Sequence, residues 1–220
     1  MPKQFDRDLA ELKKKLLVMG GNAEQMVHKA ITALIERNES LLEDVRELER
    51  GMDRAQTEID EDTVRLIGVY TPVAGDLRLL LMITRINAEL ERIGDQAFNV
   101  LKVFETLLRE EPLKPLVDLP RMANTARNML RQALDCFAEG SDEGAVSVIA
   151  MDDEVDKLND QIFRELVTYM LSDPGSINRA LGLLLTARAY ERIGDHAVNI
   201  AEDVIYVVRG EDIRHSSEKP

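Results

Sequence analysis

Ten residues occur twice in this chain, first as Glu91-Arg92-Ile93-Gly94-Asp95-Gln96-Ala97-Phe98-Asn99-Val100 and again, one hundred residues later, as Glu191-Arg192-Ile193-Gly194-Asp195-His196-Ala197-Val198-Asn199-Ile200. Seven of the ten positions are identical. Repetition at a fixed offset is the signature of a duplicated structural unit. The sequence therefore predicts two related halves, with one copy of this stretch near the end of each.

The composition favours a helical core. Of 220 residues, 45% are hydrophobic but only 4% are aromatic, and there is no Trp. Apolar residues recur at spacings of three and four, as in Leu9, Leu12, Leu16 and Met19, which is the period of a buried helix face. Strands with turn signals are not evident in the pattern. The core must therefore come from aliphatic side chains and Met on packed helices.

Six helices follow from this periodicity and from the breaks between them. Pro72 and Pro174 interrupt the pattern in each half, and Glu111-Pro112-Leu113-Lys114-Pro115 interrupts it at the centre. We predict an all-α fold of two tandem, pseudo-symmetric three-helix bundles with six long antiparallel helices. The predicted halves are residues 1–111 and 112–220, and the predicted helices are 5–39, 40–70, 75–109, 116–138, 142–171 and 176–208.

Charge and targeting signals limit the partners and the compartment. The net charge of −13 disfavours a nucleic-acid partner, because phosphate contacts need a basic face. No apolar run reaches the length of a membrane span, and the N-terminus lacks the apolar region of a signal peptide. Cys136 is the single cysteine, which excludes an internal disulfide. We expect a cytoplasmic protein that meets membranes only through its partners.

The repeated stretch has the features of a metal site. Glu91 and Asp95 are four residues apart, and so lie one turn apart on one helix face; Glu191 and Asp195 repeat the arrangement. Carboxylates at this spacing repel each other by about 0.2–0.5 kcal/mol on an exposed helix. A hard cation bound by their oxygens would offset that cost. Predicted supporting residues are Asn99, Asn199, Gly94, Gly194, Arg92 and Arg192.

An alternative interpretation needs no metal. Arg92 with Asp95 and Arg192 with Asp195 are spaced i, i+3, and Arg188 precedes Glu191 by the same interval. A ladder of ion pairs along the helix would neutralise the carboxylates. The two glycines would then mark places where helices approach closely. Spacing alone leaves both interpretations open.

A second acidic stripe favours the metal. Asp152, Asp156 and Asp160 are spaced i, i+4, i+8 on the fifth predicted helix, where Asp152 and Asp156 could face Glu191 and Asp195. In the first half we expect Gln56-Thr57-Glu58-Ile59-Asp60 to be the counterpart, with Asp60 as the ligand. Because Gln56 replaces an acid there, we predict weaker metal binding in the first half.

Catalytic motifs are missing from the sequence. There is no Glu-x-x-His pair, no phosphate-binding glycine loop and no nucleophile elbow. His196 follows Asp195 directly and so points about 100° away from it on a helix. We therefore expect that the protein is not an enzyme.

The doubled Glu-Arg-Ile-Gly-Asp-x-x-x-Asn motif resembles that of the PhoU family of phosphate-transport accessory proteins. Thr71-Pro72-Val73-Ala74-Gly75-Asp76-Leu77-Arg78 is similar to the connection between that family's second and third helices, and the acidic segments 57–60 and 153–156 are similar to its acidic segments. The resemblance runs from about Phe5 to His215. It implies a fold of two three-helix bundles.

The resemblance also implies a function. Such proteins are negative regulators of phosphate uptake and of the phosphate-starvation response. They act as adaptors between the ATPase subunit of a phosphate-specific ABC transporter and a sensor histidine kinase, and they are commonly homodimers.

The resemblance further implies metal ions on Glu/Asp-x-x-x-Asp motifs. In this sequence the motifs are Glu91–Asp95, Glu191–Asp195 and Asp152–Asp156, and Gln56–Asp60 departs from the acidic pattern. The first expectation for the metal is iron, with zinc, manganese, magnesium or calcium as alternatives. The alternative function is a metal-storage or metal-dependent protein built as a carboxylate-lined bundle. A third interpretation is a structural bundle that is held by salt bridges.

Overall fold

The computed structural model describes residues 2–210 of the chain. Within that range the fold is all-α, as predicted. A single 3-10 turn, Pro174–Ser176, precedes the last helix. The six helices are α1 (Pro2–Glu36), α2 (Leu41–Tyr70), α3 (Ala74–Leu107), α4 (Asp118–Glu139), α5 (Asp142–Ser172) and α6 (Ile177–Arg209).

The largest differences from the predicted boundaries concern α1. It begins at Pro2, a residue whose fixed φ and missing N–H suit the first helical turn. It ends at Glu36 rather than at residue 39, because Arg37 takes the left-handed conformation with φ of 52°. The side-chain oxygen of Asn38 then accepts hydrogen bonds from the backbone N–H and the hydroxyl of Ser40, which hold the turn into α2.

Each helix packs against the other two helices of its own half, and two helix pairs also join the halves. Helices α1, α2 and α3 contact one another, as do α4, α5 and α6. Between the halves, α3 packs along α6 and α1 packs along α4. The predicted fold of six long helices in two three-helix bundles is thus confirmed, while the division at residues 111 and 112 remains a prediction.

The core between the helices is aliphatic, with few aromatic exceptions. Tyr190 on α6 and Phe104 on α3 are the largest fully buried side chains. The Tyr190 hydroxyl donates a hydrogen bond of 3.1 Å to the carbonyl oxygen of Val27 on α1. Burial of the phenol raises the pKa of Tyr190 well above its ordinary value. This side chain therefore links the last helix of the second half to the first helix of the first half.

Two glycines allow helices of different halves to approach closely. A Cβ on Gly20 of α1 would lie 2.4 Å from Cδ1 of Leu134 on α4, and one on Gly182 of α6 would lie 3.1 Å from Leu107 on α3. A larger residue at position 20 would force the leucine to move.

Of the helices in residues 2–210, none combines the length and the apolar character needed to span a bilayer.

Candidate functional site

The repeated stretches lie side by side on two antiparallel helices. Along the contact between α3 and α6, Arg85 pairs with Asp203 and Glu89 with His196, so the residue numbers rise on one helix as they fall on the other. On each helix the Arg, Asp and Asn of the repeat are exposed to solvent. The exposed row is Arg92, Asp95 and Asn99 on α3 and Arg192, Asp195 and Asn199 on α6.

In the second half, the carboxylates that were predicted to converge do act on one another. Burial, followed by the charge of Asp195, raises the pKa of Glu191, and Asp156 on α5 adds to the shift. Although Asp195 is exposed at its outer side, the protein atoms around its carboxyl group partly exclude water, and this effect followed by the charge of Asp156 raises its pKa. Asp156 of the predicted α5 stripe thus lies near enough to act on Glu191 and Asp195, and these three carboxylates form a cluster whose binding of metal stays a prediction.

Glu191 is the most unusual member of the cluster. Its Oε1 accepts a hydrogen bond of 2.8 Å from Nη1 of Arg188, while its Oε2 is buried without any hydrogen-bond partner among the described residues. A buried carboxylate oxygen that lacks a donor is costly, because it has lost water without a replacement. Such an oxygen is available to a cation.

Asp152 lies beside the same stretch of α6, and Asp160 lies apart from it. Oδ1 of Asp152 lies 3.3 Å from the place that a Cβ on Gly194 would occupy, so the carboxylate rests against α6 within the stretch that carries Glu191 and Asp195. Asp160 lies farther along α5 and pairs at 3.7 Å with Arg164, with both side chains largely exposed.

In the first half, the α2 carboxylate that acts on the repeated stretch is Asp53 and not the predicted Asp60. Burial, then Asp95, then Asp53 raise the pKa of Glu91. Asp60 instead accepts a hydrogen bond of 3.0 Å from Nδ2 of Asn87, which lies one turn before Glu91 on α3. Asp53 is thus a site residue that the sequence analysis missed.

Asp53 also changes the expectation for the first half. Four residues before it stands Glu49, so α2 carries a Glu-x-x-x-Asp pair that matches Asp152 and Asp156 on α5. The expectation of weaker metal binding rested on Gln56, and Gln56 contributes its backbone oxygen to Asn87. The expectation of weaker metal binding in the first half stays a prediction, while the α2 carboxylate that acts on Glu91 is Asp53, two turns before Asp60.

The ion-pair ladder forms at one of its three predicted rungs. Arg188 and Glu191 are paired at 2.8 Å. Arg92 instead pairs with Glu89 at 2.9 Å. The charge of Arg192 weakly opposes the rise in the pKa of Asp195, yet among residues 2–210 Arg192 lies within 4 Å of no carboxylate. Ion pairs alone do not neutralise the repeated carboxylates.

The two repeat glycines have different surroundings. A Cβ on Gly94 would lie 3.5 Å from Met52 and 3.7 Å from Met26, which is ordinary van der Waals contact. At Gly194 the corresponding distance to Asp152 is 3.3 Å, which is tight. A close helix approach therefore accounts for Gly194 better than for Gly94.

His196 turns away from the acidic cluster and joins the halves. Its Nδ1 lies 2.7 Å from Oε2 of Glu89, and Nδ2 of Asn199 donates to the same oxygen at 3.1 Å. Burial by itself would raise the pKa of Glu89, but these two hydrogen bonds outweigh it, and the pKa lies below its ordinary value. We call Glu89, His196 and Asn199 the polar seam.

The acidic clusters fit a cation by their chemistry. Their donors are carboxylate oxygens, which hard cations prefer, and partial burial together with neighbouring carboxylates raises the pKa values of Glu191 and Asp195. In residues 2–210, however, no three side chains of His, Cys, Asp or Glu stand close enough together to hold an ion as they are. The carboxylates would have to draw together around a metal.

Comparison with known proteins gives consistent results for both halves. The model of the PhoU domain family matches residues 16–104 and 119–204. The phosphate-specific transport system accessory protein PhoU homolog of Pseudomonas putida is 42% identical over 98% of this chain and 85% of its own length. The crystal structure of PhoU from Pseudomonas aeruginosa superposes with a TM-score of 0.91 at 39% identity, covering 94% of this chain and 100% of that one. The phosphate transport system regulatory protein PhoU from Streptococcus pneumoniae superposes at 0.86 with 25% identity, covering 95% and 99%.

Proposed function

Since this chain belongs to the PhoU domain family, we propose that it is a regulatory accessory protein of a phosphate-specific transport system. The main support is that the family model matches both halves of the chain. Relatives that match nearly the whole chain are named for that role. We place the protein in the cytoplasm and assign it no catalytic activity.

The finer role that we propose is that of an adaptor. When phosphate is plentiful, the protein would restrain uptake by contacting the ATPase subunit of the ABC transporter, and would hold a sensor histidine kinase in its signalling-off state. Such an effect is a population shift in the partners, and it requires only differential binding. Long helices with exposed apolar side chains, such as Val64 and Val69 on α2, offer contact area for this purpose. A homodimer is the assembly that we propose.

A pull-down against the membrane fraction of the host tests the adaptor role. The full chain is immobilised, and the retained proteins are identified by mass spectrometry. Recovery of a phosphate-transporter ATPase or a sensor kinase is expected. In parallel, deletion of the gene should raise phosphate uptake and the expression of phosphate-starvation genes in phosphate-rich medium. Unchanged uptake and unchanged expression after deletion would contradict the proposal.

We also propose that the acidic clusters bind metal, with iron as the first candidate. The residues that would hold it are Glu191, Asp195, Asp152 and Asp156 in the second half, and Glu91 and Asp95 in the first half. Asp53 replaces the predicted Asp60 as the α2 ligand, because it is the carboxylate that acts on Glu91. The support is the unpartnered oxygen of Glu191 and the raised pKa values around it. A bound cation would stabilise the ionised carboxylates.

The double variant Glu191→Ala with Asp195→Ala tests the metal. It should lose metal, measured by elemental analysis after loading with iron, while its circular dichroism remains that of the parent. A matched control, Asp153→Ala with Asp160→Ala, removes two exposed carboxylates of α5 that pair with Lys157 and Arg164. Equal metal content in both double variants would refute the site. Metal binding without any transporter or kinase partner would favour the metal-storage alternative.

A further inference from the structure

A cavity of about 200 Å³ lies where the two halves are joined. Its walls come from the end of α1, the end of α3, the start of α6 and the connector 111–116, which crosses over it. The wall is largely apolar and includes Leu34, Leu107, Leu113 and Leu183. This site is separate from the acidic clusters, which lie near the middle of α3 and α6.

The charged groups of the lining are mainly cationic. Arg37, Lys114 and Arg179 line the cavity together with a single carboxylate, that of Glu111. Lys114 is mostly buried and is neutralised by Glu165. Arg37 donates through Nη2 to the carbonyl oxygens of Leu108 at 2.7 Å and Glu110 at 2.9 Å.

Arg37 has no carboxylate partner. Within the described range, residues 2–210, no Asp or Glu oxygen lies within 4 Å of its guanidinium. Its hydrogen bonds to carbonyl groups leave the full positive charge in place. Arg37 is exposed to solvent and borders the cavity, so its charge is open to a ligand there.

Arg179 has weak partners only. Its Nε is buried and donates no hydrogen bond, since the closest carboxylate oxygen, Oε2 of Glu110, lies 3.5 Å away. Its other contacts are the carbonyl of Glu111 at 3.4 Å and the carboxylate of Asp173 at 3.9 Å. Charge-assisted pairs are normally about 2.7–2.9 Å long, so none of these contacts satisfies the guanidinium. Glu110 and Asp173 thus compensate the charge of Arg179 from 3.5 and 3.9 Å, while its buried Nε still lacks a hydrogen-bond acceptor.

We propose that this cavity binds a small organic carboxylate, with its apolar body among the leucines and its carboxylate on Arg179 and Arg37. Size supports this ligand class, because an apolar cavity of about 150 Å³ accommodates benzene, and the volume found here leaves room for one further small group. An arginine fork matches a carboxylate in two parallel hydrogen bonds. The inference is independent of the transport role and of the acidic clusters.

Inorganic phosphate is a poorer match to this cavity. Phosphate has no apolar portion and would leave the leucine walls without a partner. A neutral ligand of the same size would bring no negative charge to Arg37 or to the buried Nε of Arg179. The combination of an apolar body and one negative charge satisfies both parts of the lining.

Isothermal titration of the full chain with benzoate tests the proposal. We expect saturable binding at one site per chain, and a roughly tenfold to hundredfold weaker affinity for the variant Arg179→Gln, which removes a charge-assisted contact. Benzyl alcohol, which lacks the charge, and inorganic phosphate, which lacks the apolar body, should each bind much more weakly. Absence of benzoate binding, or phosphate binding as tight as that of benzoate, would overturn the proposal.

Two further variants keep the test independent of folding. Arg65→Gln removes the same charge at the opposite end of the first half, where Arg65 pairs with Asp62 and Asp8, and it should bind benzoate like the parent. Leu113→Trp enlarges a connector residue in the cavity wall and should abolish binding. Circular dichroism confirms that each variant is folded. If Arg65→Gln weakens binding as much as Arg179→Gln does, general charge accounts for the binding, and the site is refuted.

Discussion

At one end of the contact between α3 and α6 the two halves meet through polar groups, and at the other end the equivalent positions are mostly apolar. Glu89 receives His196 across the contact. The repeat offset of one hundred residues maps this pair onto Ala189 and Gln96, which cannot form it. One end of a nearly symmetric pair of helices thus has a polar contact between Glu89 and His196, and the equivalent residues at the other end do not form one.

The next turn along the same contact repeats this difference. Arg85 and Asp203 pair at 3.3 Å, with Asp203 almost fully buried. The equivalent positions are Leu185, which is largely exposed, and Val103, which is partly buried. The repeated stretch therefore specifies how two helices pack, while the residues that differ between the copies specify which end of the contact is polar. Four variant sets test this division.

The largest effect is expected at Tyr190, whose counterpart in the first half is Leu90. Tyr190→Ala should lower the free energy of unfolding by about 3–5 kcal/mol, because a fully buried aromatic side chain leaves a cavity. Tyr190→Phe should cost only about 1 kcal/mol, since it removes the hydrogen bond to Val27 and keeps the ring. Urea denaturation measures both. Equal losses for the Phe and Ala variants would show that the hydrogen bond dominates.

The polar seam should contribute less, and its contribution should depend on pH. Glu89→Ala should cost about 1–2 kcal/mol at pH 7, since His196 and Asn199 lose their acceptor. The folded-state pKa of Glu89 lies below its ordinary value, so its stabilisation is present above about pH 4.5 and is lost as the pH falls through the folded pKa. Melting temperatures of parent and variant should therefore converge in acid.

A matched control for the seam is Gln96→Ala at the position equivalent to His196. It should change stability by less than about 0.5 kcal/mol, as substitutions away from buried networks do. A loss as large as that of Glu89→Ala would mean that the apolar end of the contact is held by polar groups too.

The repeat glycines provide the third test. Gly94→Ala should stabilise the protein by about 0.5–1 kcal/mol, because alanine favours the helix and its Cβ meets only ordinary contacts. Gly194→Ala should stabilise less or destabilise, since Asp152 must give way. Thermal unfolding of both variants in metal-free buffer decides the matter. Identical gains would show that Asp152 moves without cost.

The smallest effect is expected from Asp195→Asn, which should stabilise the metal-free protein by about 0.2–0.5 kcal/mol at neutral pH. Burial and Asp156 raise the folded-state pKa of Asp195, so the ionised parent is disfavoured once the pH rises through that pKa. The gain should disappear in acid, where the parent is protonated. Asp95→Asn is the matched control in the first half. A gain that is independent of pH would contradict this electrostatic origin.

The fold could be predicted from the sequence because helix periodicity, proline breaks and the repeat all indicate the same architecture. The position of one helix along its neighbour could not be predicted in this way. Asp53 and Asp60 are seven residues apart, close to two full turns, and so lie on nearly the same face of α2. Periodicity identifies that face but cannot tell how far one helix is shifted along another. For this reason the sequence analysis predicted Asp60 beside Glu91, two helical turns after Asp53, which is the α2 carboxylate that acts on Glu91.

The cavity at the junction escaped the sequence analysis for a related reason. The segment Glu111-Pro112-Leu113-Lys114-Pro115 was recognised as a break, and a break says nothing about what the chain covers. The cationic lining also brings together Arg37, Lys114 and Arg179, which are far apart in sequence and lie on different elements. Only the packing of α1, α3 and α6 places them around one space.

The burial of Tyr190 has an optical consequence. The chain has no tryptophan and four tyrosines, of which Tyr190 alone is fully buried, while Tyr70, Tyr169 and Tyr206 are partly exposed. Because its phenol touches α1 from α6, its fluorescence and near-ultraviolet dichroism report on the contact between the two halves. While the halves stay in contact, a small quencher in solution should reach the partly exposed tyrosines but not Tyr190. Loss of the Tyr190 signal would therefore report that the halves have separated, without any added label.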